Sequence, residues 1–307
     1  MKMKNIIKIL KNPKFILLKM DQRKIITLSD KKYIKLNYEY VFDKKINLKD
    51  PKEYNEKLNW LKLYNREDLY TTLVDKYLAK KIVEEKIGKE YIIPTLGVWD
   101  KFNDIDFNKL PNSFVMKTTH DSGGVVIVKD KTEMNLKEIR KKIKKSLKRD
   151  YYRLWREWPY KNVKRKIIIE EYIEDKKDKE LRDYKFFCFN GKVELMFIAS
   201  NRQNKDEETC FDFYDMNGEH LNIINEHPNA KTPPHLPINF EKMKILANKI
   251  SNGIPHARID FYEVNGKIYF GEITLFHFAG FVNFEPKEWN NILGDKINIK
   301  DIEKNEN

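Results

Sequence analysis

The first third of the chain carries apolar residues at helical spacing. Segment 53–66 places Leu58 and Leu61 with aromatic neighbours in that spacing, and segment 71–88 repeats apolar residues every fourth position. Apolar residues that recur at intervals of three and four form one face of an α-helix. We therefore predict helices over 53–66 and 71–88. The second should end at Gly88, because glycine is frequent just after a helix C-terminus.

The middle of the chain predicts short strands around a glycine-containing loop. Residues 113–118, 125–130 and 167–173 are rich in β-branched and apolar side chains, which favours strands. Residues 119–124, THDSGG, separate the first two strands and predict a loop. A basic amphipathic helix is predicted between the second and third strands from its apolar stripe, which consists of Leu136, Ile139, Ile143 and Leu147.

The C-terminal half of the chain predicts an antiparallel sheet. Asn-Gly pairs occur at 190–191, 217–218 and 265–266, each between strand-like residues. Asn-Gly favours the two-residue turns that join antiparallel strands, because both turn positions need positive φ. We therefore predict an antiparallel sheet over about 184–274, interrupted by a helix over 241–252.

Composition and charge narrow the classes of partner. Of 307 residues, 41% are hydrophobic and 35% are charged, and no run approaches the roughly 18 apolar residues of a membrane span. Only Cys188 and Cys210 are present, so a disulfide framework is not expected and a cytoplasmic location fits. The net charge of +13 favours anionic partners such as nucleotides, acidic glycans or membrane surfaces. No nucleic-acid recognition motif is found, so no nucleic-acid partner is expected.

The N-terminal segment, residues 1–20, alternates apolar residues with lysines. An amphipathic basic segment of this kind predicts weak peripheral contact with the inner face of a membrane. A helix packed on the main domain is the alternative.

A lysine and a glycine-containing loop form the first candidate site. Lys117 ends a predicted strand and precedes the loop that contains Gly123 and Gly124. Two glycines let backbone N–H groups approach a phosphate, and a lysine at the start of the loop can reach the same group. An ordinary hairpin with a surface lysine is the alternative. Lys76, beside Asp75, is a further candidate phosphate ligand or else a plain surface lysine.

Two carboxylates on neighbouring strands form the second candidate site. Asp260 and Glu272 flank the turn at 265–266, and paired carboxylates suit Mg²⁺ that bridges phosphates. A two-residue loop would pair Asp260 with Gly271 and put Glu272 on the opposite face, because side chains alternate along a strand. A shared metal ion therefore predicts an odd loop, such as three residues with Gly266 in a left-handed bulge. Charges on a solvated outer face are the alternative.

A further pair of carboxylates stands where the predicted strand 167–173 ends. Glu170 and Glu171 could accept hydrogen bonds from an adenine amino group or a ribose hydroxyl. A surface pair with no ligand is the alternative.

The order of these features resembles the ATP-grasp superfamily, and more closely its TupA-like family from polysaccharide and teichuronopeptide biosynthesis. The resemblance covers roughly residues 50–295 and rests on six phrases: YNEKLNWLKLYNR (54–66), KYLAKKIVEEKIGKEYIIPTLGVWD (76–100), LPNSFVMKTTHDSGG (110–124), REWPYKNVKRKIIIEEYI (156–173), DYKFFCFNGK (183–192) and RIDFYEVNGKIYFGEIT (258–274). It implies an α+β ATP-grasp fold whose two α+β subdomains clasp the nucleotide. The implied units are a basic, mostly helical segment (1–70) and two subdomains (71–172 and 173–300).

The resemblance also implies roles for individual residues. Those implied to bind ATP are Lys76, Lys117, Asp121, Ser122, Gly123 and Gly124 at the phosphates, Glu170, Glu171, Tyr172 and Ile173 at adenine, and Lys185 at the nucleotide or the substrate. Those implied to act in catalysis or to hold Mg²⁺ are Arg258 and Lys117 at the transferred phosphoryl group, and Asp260, Glu272 and Thr274 at the metal. Thr274 stands where many ATP-grasp enzymes have asparagine, and its hydroxyl can also bind a metal ion.

The implied chemistry is carboxylate activation. ATP phosphorylates a carboxylate, and an amine or a thiol attacks the acyl phosphate, while the protein supplies positions and positive charge. The carboxylate is expected to belong to a uronic acid or an amino acid in surface-polysaccharide biosynthesis. A glycosyltransferase of a capsule or polysaccharide cluster is one alternative, although no convincing DxD metal motif stands at a strand end. A non-catalytic basic protein that binds glycans or membranes is the other.

Overall fold

Two antiparallel sheets form the framework of the protein in the computed structural model, which describes residues 12–175, 180–202 and 207–302. The strands of the smaller sheet are β1 (Thr95–Trp99), β2 (Phe114–Thr118), β3 (Val126–Val128) and β4 (Ile167–Glu171). Those of the larger sheet are β5 (Asp183–Phe189), β6 (Lys192–Ser200), β7 (Cys210–Tyr214), β8 (His220–Leu221), β9 (His256–Val264) and β10 (Lys267–Thr274). Neighbouring strands pair in the orders β1-β4-β2-β3 and β10-β9-β5-β6-β7-β8.

All three Asn-Gly pairs lie at hairpin turns of the larger sheet, as the sequence predicts. They join β5 to β6, β7 to β8 and β9 to β10. Asn190, Gly191, Asn265 and Gly266 have φ values between 50° and 81°, which asparagine and glycine adopt at little cost. The predicted antiparallel sheet is therefore confirmed, and so is the helix that interrupts it.

The helices lie mainly before the smaller sheet and between the strands. In chain order they are α1 (Pro13–Gln22), α2 (Asp30–Phe42), α3 (Tyr54–Tyr64), α4 (Leu69–Val74), α5 (Leu78–Ile87), α6 (Leu136–Leu147), α7 (Tyr151–Trp155), α8 (Phe240–Ser251) and α9 (Trp289–Asp295). The helix predicted over 53–66 is confirmed as α3.

The helix predicted over 71–88 is wrong as a single element, because α4 and α5 are separated at Asp75. The Asp75 Oδ1 atom accepts hydrogen bonds from the backbone N–H groups of Tyr77 (2.8 Å) and Leu78 (3.1 Å). A carboxylate in this position satisfies the free N–H groups at the start of a helix and favours a new helix start over continuation. The break turns the backbone of Lys76 towards the loop after β2, where its N–H donates to the carbonyl of Thr119 (3.1 Å).

The larger core packs α8 and the helices α2 to α5 against the larger sheet. It joins distant parts of the chain: the hydroxyl of Tyr54 in α3 lies 2.9 Å from Nε2 of His256 in β9, and the amide of Asn55 donates to the carbonyl of Val282 (2.7 Å). The N-terminal helices therefore form one unit with the C-terminal sheet.

The smaller core lies between the smaller sheet and α6. Ile139 and Ile143 of the predicted apolar stripe are buried in it, whereas Leu136, in the first turn of α6, is 45% exposed. Ile92, just before β1, forms a parallel bridge with Phe270 of β10, which brings the two sheets side by side.

The first described helix, α1, buries Leu18 and exposes Ile16 and Leu17. Residues 1–11 of the segment predicted to touch a membrane lie outside the described residues, so that contact stays a prediction. Across the described ranges, every helix is too short or too polar to cross a bilayer.

Candidate functional site

A cleft of about 370 Å³ opens between the two sheets. Strands from both sheets contribute to its wall, so a ligand that filled the cleft would contact both sheets. The sequence-predicted residues that line it are Lys76, Lys117, Ser122, Gly123, Glu170, Glu171, Tyr172, Ile173 and Glu272. The other predicted residues lie outside this lining, and they are Asp121, Gly124, Lys185, Arg258, Asp260 and Thr274.

The glycine-containing loop after β2 is fixed at both ends. The Asp121 carboxylate accepts hydrogen bonds from the hydroxyls of Thr118 (2.5 Å) and Ser146 (2.7 Å), and all three side chains are buried. A Cβ atom at position 124 would lie 2.1 Å from Ser146 Oγ, so only glycine fits there. Gly123 has a φ of 91° and is exposed beside the cleft. Asp121 and Gly124 thus hold the loop, and Ser122 and Gly123 present its backbone to the cleft.

Two lysines reach the cleft from opposite sides of this loop. Lys76 Nζ donates to the backbone carbonyl of Asp121 (2.8 Å) and lies 3.7 Å from Glu272 Oε2. Lys117 Nζ lies 2.6 Å from Glu170 Oε2. The charge of Lys117 is stabilised by this carboxylate: burial alone would lower the lysine pKa, but Glu170 outweighs it and raises the pKa. Both lysines therefore carry positive charge into the cleft.

Glu170 holds two lysines, one of which sequence reasoning missed. Its carboxylate forms ion pairs with Lys117 and with Lys80, and Lys80 Nζ also donates to the carbonyl of Ile93 (2.7 Å) and to Thr95 Oγ1 (2.9 Å). Burial would raise the pKa of Glu170, but the two lysines outweigh it and lower the pKa. Lys80 lies on α5, whereas Lys76 stands before that helix begins at Leu78, so helical spacing gave no signal that connects the two lysines.

Glu171 differs from Glu170 in its surroundings. It lies at the end of β4, where it is exposed and lines the cleft with Tyr172 and Ile173. Both carboxylates are candidates for binding adenine. Glu170 already forms ion pairs with two lysines, whereas Glu171 is exposed in the cleft and accessible to a ligand.

The hairpin of β9 and β10 places Asp260 and Glu272 opposite each other, but not through the odd-length loop that the sequence predicts. Val264 pairs directly with Lys267, so the loop has two residues and the predicted odd loop is wrong. The pairing shifts instead between Phe270 and Glu272, which leaves Gly271 as the extra residue of a β-bulge. A two-residue Asn-Gly turn matches the twist of the strands, and the bulge can then form wherever a glycine allows it.

The bulge places the polar side chains on one face, as predicted. Glu272 stands opposite Asp260, and Thr274 stands opposite Arg258, with Ile273 opposite Ile259 between them. Directly opposed residues of an antiparallel pair point to the same face. The predicted same-face arrangement of the two carboxylates is therefore confirmed, although its cause is the bulge and not the loop.

Arg258 and Lys185 surround Asp260, which is 1% exposed. Arg258 binds Asp260 through two hydrogen bonds, Nε to Oδ1 (2.7 Å) and Nη2 to Oδ2 (2.8 Å), and Lys185 pairs with the same Oδ2. Arg258 Nη2 also donates to Thr274 Oγ1 (3.0 Å), and Nη1 lies 2.9 Å from Nδ1 of His277. Lys185 and Arg202 further pair with Asp183, a buried carboxylate that sequence reasoning did not single out.

Glu272 lines the cleft, as Asp183 does, and 40% of its side chain is exposed. Burial would raise its pKa, but the positive charges of Lys76, Lys185 and Arg258 outweigh burial and lower the pKa to about 2. Glu272 is therefore ionised at physiological pH and surrounded by cations. Such a cluster suits a polyanion that brings its own metal ion.

The donor set is compatible with Mg²⁺. Among the described residues no group of three or more His, Cys, Asp or Glu side chains converges on one point. The two opposed carboxylates of Asp260 and Glu272, with the Thr274 hydroxyl, are hard oxygen donors. Mg²⁺ is usually held by one or two carboxylates together with substrate phosphates and water, so this set fits. Asp260 would have to exchange one of its present cation partners for the metal.

The family model described as TupA-like ATPgrasp matches residues 56–298. Among curated proteins, no significant match is found.

Solved structures give matches of low identity. A D-alanine–D-alanine ligase from Bacillus anthracis complexed with ATP is 19% identical, with a TM-score of 0.41, and the match covers 66% of this chain and 55% of the ligase. A biotin carboxylase from Campylobacter jejuni is 14% identical, with a TM-score of 0.44, and the match covers 73% of this chain and 45% of the carboxylase. The chain thus spans about half the length of these two proteins.

Proposed function

Because the chain belongs to the TupA-like ATP-grasp family, we propose that it is an ATP- and Mg²⁺-dependent ligase that joins a carboxylate to an amine through an acyl phosphate. The family match and the two antiparallel sheets also confirm the α+β ATP-grasp fold that the sequence predicts. One observation carries the proposal: a glycine-containing loop, two lysines and Glu272 meet at a single cleft between the sheets, and Glu272 connects that cleft to Arg258 behind it.

ATP would lie in the cleft with its phosphates at the loop. Lys76 and Lys117 would bind phosphate oxygens, and the backbone of Ser122 and Gly123 would close over them. Adenine would lie at the end of β4, near Glu171 and the backbone of 172–173. We assign Glu170 the different task of holding Lys117 in place, because its carboxylate is already paired with two lysines.

The phosphoryl transfer would take place at the arginine–carboxylate cluster. An oxygen of the substrate carboxylate attacks the terminal phosphorus of ATP, the bond to the bridging oxygen breaks, and ADP leaves with the electron pair. Arg258 and Lys185 would stabilise the negative charge that develops on the transferred group. Mg²⁺, held by Asp260, Glu272 and Thr274 when bound, would neutralise charge on the phosphates.

The carboxylate substrate that we propose is a uronic acid or an amino acid of surface-polysaccharide biosynthesis, handled in the cytoplasm. The resemblance of the six sequence phrases to the TupA-like family implies this class of pathway. The net charge of +13 supports an anionic substrate, because positive potential raises the local concentration of anions. The thiol that the sequence analysis kept as an alternative nucleophile remains the alternative to an amine.

The experiment traps the acyl phosphate. Purified protein is incubated with ATP, Mg²⁺, hydroxylamine and either glucuronate, galacturonate or glutamate, and the hydroxamate and ADP are quantified by mass spectrometry. Lys117→Ala and Glu272→Gln should fold and lose ATP turnover by at least a hundredfold, since each removes charge from the cleft. Lys109→Ala is the matched control, because that lysine is 84% exposed in a surface ion pair.

Three results would contradict the proposal. If Lys117→Ala and Glu272→Gln both fold and turn over ATP at the wild-type rate, the assignment of these residues to the active site is wrong. Thermal stabilisation by UDP-glucose with Mg²⁺, without stabilisation by ATP, would favour the glycosyltransferase alternative, and no response to any nucleotide would favour the non-catalytic one.

A further inference from the structure

His277, in the loop after β10, is a fully buried histidine that contacts the guanidinium group of Arg258. Its Nδ1 atom lies 2.9 Å from Nη1 of Arg258. An arginine side chain carries only N–H donors and stays protonated in proteins, so it cannot accept a hydrogen bond. Nδ1 of His277 is therefore the acceptor, and the proton of the neutral ring is on Nε2.

Asn225, after β8, leads to the same assignment from the other side of the ring. Nε2 of His277 lies 2.8 Å from Oδ1 of Asn225. The orientation of this amide is fixed, because its Nδ2 atom donates to the carbonyl of Asn283 (2.8 Å) and the reverse orientation would bring two acceptors together. Oδ1 therefore faces Nε2, and only a protonated Nε2 can donate to it. Two independent partners thus assign the same tautomer to His277.

A second buried histidine, His256 in β9, has the opposite tautomer. Its Nδ1 atom lies 2.8 Å from the carbonyl oxygen of Leu275, which can only accept, so Nδ1 carries the proton. Nε2 of His256 then accepts a hydrogen bond from the hydroxyl of Tyr54 (2.9 Å). Among the described residues, the hydrogen bonds of this ring go to Tyr54 and Leu275 and not to Arg258. His256 therefore serves as an internal control for His277.

The loop that carries His277 is held by one face of α3. Three side chains of this helix donate to successive carbonyls of the loop: Asn55 to Val282 (2.7 Å), Asn59 to Gly280 (2.8 Å) and Lys62 to Ala279 (2.8 Å). Phe278 and Ala279 have φ values of 43° and 54°, in the left-handed region that non-glycine residues rarely adopt. Strain of this kind persists only where the surrounding contacts maintain it. The imidazole of His277 is therefore held in a defined position against Arg258.

Arg258 thus has two kinds of anchor, one charged and one neutral. Asp260 accepts from Nε and Nη2 and offsets the positive charge of the guanidinium group. The imidazole of His277 accepts from Nη1 and leaves that charge in place. Asp260 has to exchange one of its cation partners in order to bind Mg²⁺, whereas the bond between Arg258 and His277 does not involve Asp260. A fixed donor with its full charge is what stabilises a developing negative charge.

We propose that His277 is a positioning residue for phosphoryl transfer, which holds Arg258 in place as a neutral acceptor without offsetting its charge. This inference rests on the proposed ligase function. Asn225 keeps the ring proton on Nε2, so Nδ1 remains available to Arg258. Burial and the positive charge of Arg258 hold the pKa of His277 well below its ordinary range, so the ring stays neutral at physiological pH. His277 acts through Arg258 and transfers no proton itself.

The first test compares two substitutions at position 277 in the hydroxylamine assay. His277→Leu removes the acceptor, whereas His277→Asn can place its Oδ1 atom where Nδ1 lies in the wild type. His277→Leu should lower kcat at least tenfold and change KM for ATP less than threefold, because Lys76 and Lys117 still bind the phosphates. His277→Asn should restore kcat to within threefold of the wild type.

His256→Leu is the matched control, because it makes the same change at a buried histidine whose hydrogen bonds do not go to Arg258. It should lower the melting temperature, as His277→Leu does, but leave kcat within threefold of the wild type. A kcat of His277→Leu within threefold of the wild type would overturn the proposal. An equal loss of kcat in the two leucine variants, or in His277→Leu and His277→Asn, would also overturn it, since the effect would then not depend on an acceptor at Arg258.

The second test uses the wild-type protein alone and stays valid if the leucine variants fail to fold. Long-range nitrogen–proton NMR spectra of protein with isotope-labelled histidine show which ring nitrogen carries the proton. The two rings are assigned from their aromatic neighbours, Phe197 for His277 and Tyr54 for His256. At neutral pH we expect the proton on Nε2 of His277 and on Nδ1 of His256.

A proton on Nδ1 of His277 at neutral pH, in either a neutral or a doubly protonated ring, would overturn the proposal. Absence of hydroxamate from the wild-type protein would instead count against the ligase function and would leave the tautomer result unaffected. The two failures are therefore distinguishable.

Discussion

Replacing Lys62 by methionine should remove a strong pH dependence from the stability of the protein. Burial lowers the pKa of Lys62 from 10.5 to about 7, although the charge of Glu157 opposes this. Between these two pH values the unfolded lysine holds a proton that the folded one has lost. The free energy of unfolding therefore increases with pH between pH 7 and 10.5. As the pH falls towards 7, this gain in stability is lost, because unfolding releases the lysine to bind a proton.

The magnitude follows from the same numbers. Each pKa unit corresponds to about 1.4 kcal/mol, so the full lowering corresponds to about 5 kcal/mol between pH 7 and 10.5. From pH 7.5 to 9.5 the wild type should gain about 3 kcal/mol over Lys62→Met. The variant also loses two hydrogen bonds to buried carbonyl groups, but this loss is independent of pH and does not change the slope.

Urea unfolding at pH 7.5, 8.5 and 9.5 measures this difference. Lys57→Met is the matched control, because Lys57 lies on the same helix and its Nζ also donates to two backbone carbonyls, those of Gly294 and Ile297. Lys57 is only half-buried, so water continues to solvate its charge and the slope should change less. Free energies of wild type and Lys62→Met that stay parallel over this range would refute the reasoning.

Glu170→Gln should lower the free energy of unfolding by about 3–5 kcal/mol, since it leaves two nearly buried lysines without their shared carboxylate. The exposed Glu171→Gln should change it by less than about 0.5 kcal/mol, and similar urea midpoints for the two variants would contradict the ion-pair argument. Deleting Gly271 should remove the bulge but keep Glu272 opposite Asp260, so both carboxylates stay on one face of the sheet. The variant should therefore still hydrolyse ATP or transfer its terminal phosphoryl group. A variant that folds but has lost this activity would contradict the argument from strand register. Removing residues 1–20 should weaken flotation with anionic liposomes, and unchanged flotation would exclude the predicted membrane contact.

Local signals in the sequence were sufficient for much of the fold. The Asn-Gly turns identify the hairpins because few other residue pairs adopt positive φ twice in succession. The strand at 167–173 and the loop at 119–124 are likewise visible from composition alone. The cleft's lysines and its glycine-containing loop followed from these elements.

The rest depends on tertiary contacts that local patterns do not contain. Gly271 is a local hint of the bulge, because a glycine inside a strand often marks one, but the regular alternation around it favours a continuous strand. Lys62 and Lys80 lie on helices, where a lysine usually faces solvent, and Glu157 follows a tryptophan-rich turn that predicts only packing. Their burial is decided by segments more than a dozen residues away, as with the carbonyl of Ala279, which accepts a hydrogen bond from Lys62 Nζ.

The closure of the larger core by both ends of the chain has a consequence for synthesis on the ribosome. The strands and helix of the smaller core are complete once residue 171 has emerged. The helices α3 to α5 emerge earlier, but the sheet that covers their buried faces is complete only when β9 and β10 (256–274) have emerged. Nascent chains stalled near residue 200 should therefore contain a protease-resistant smaller sheet and N-terminal helices that proteases still cleave and chaperones still bind.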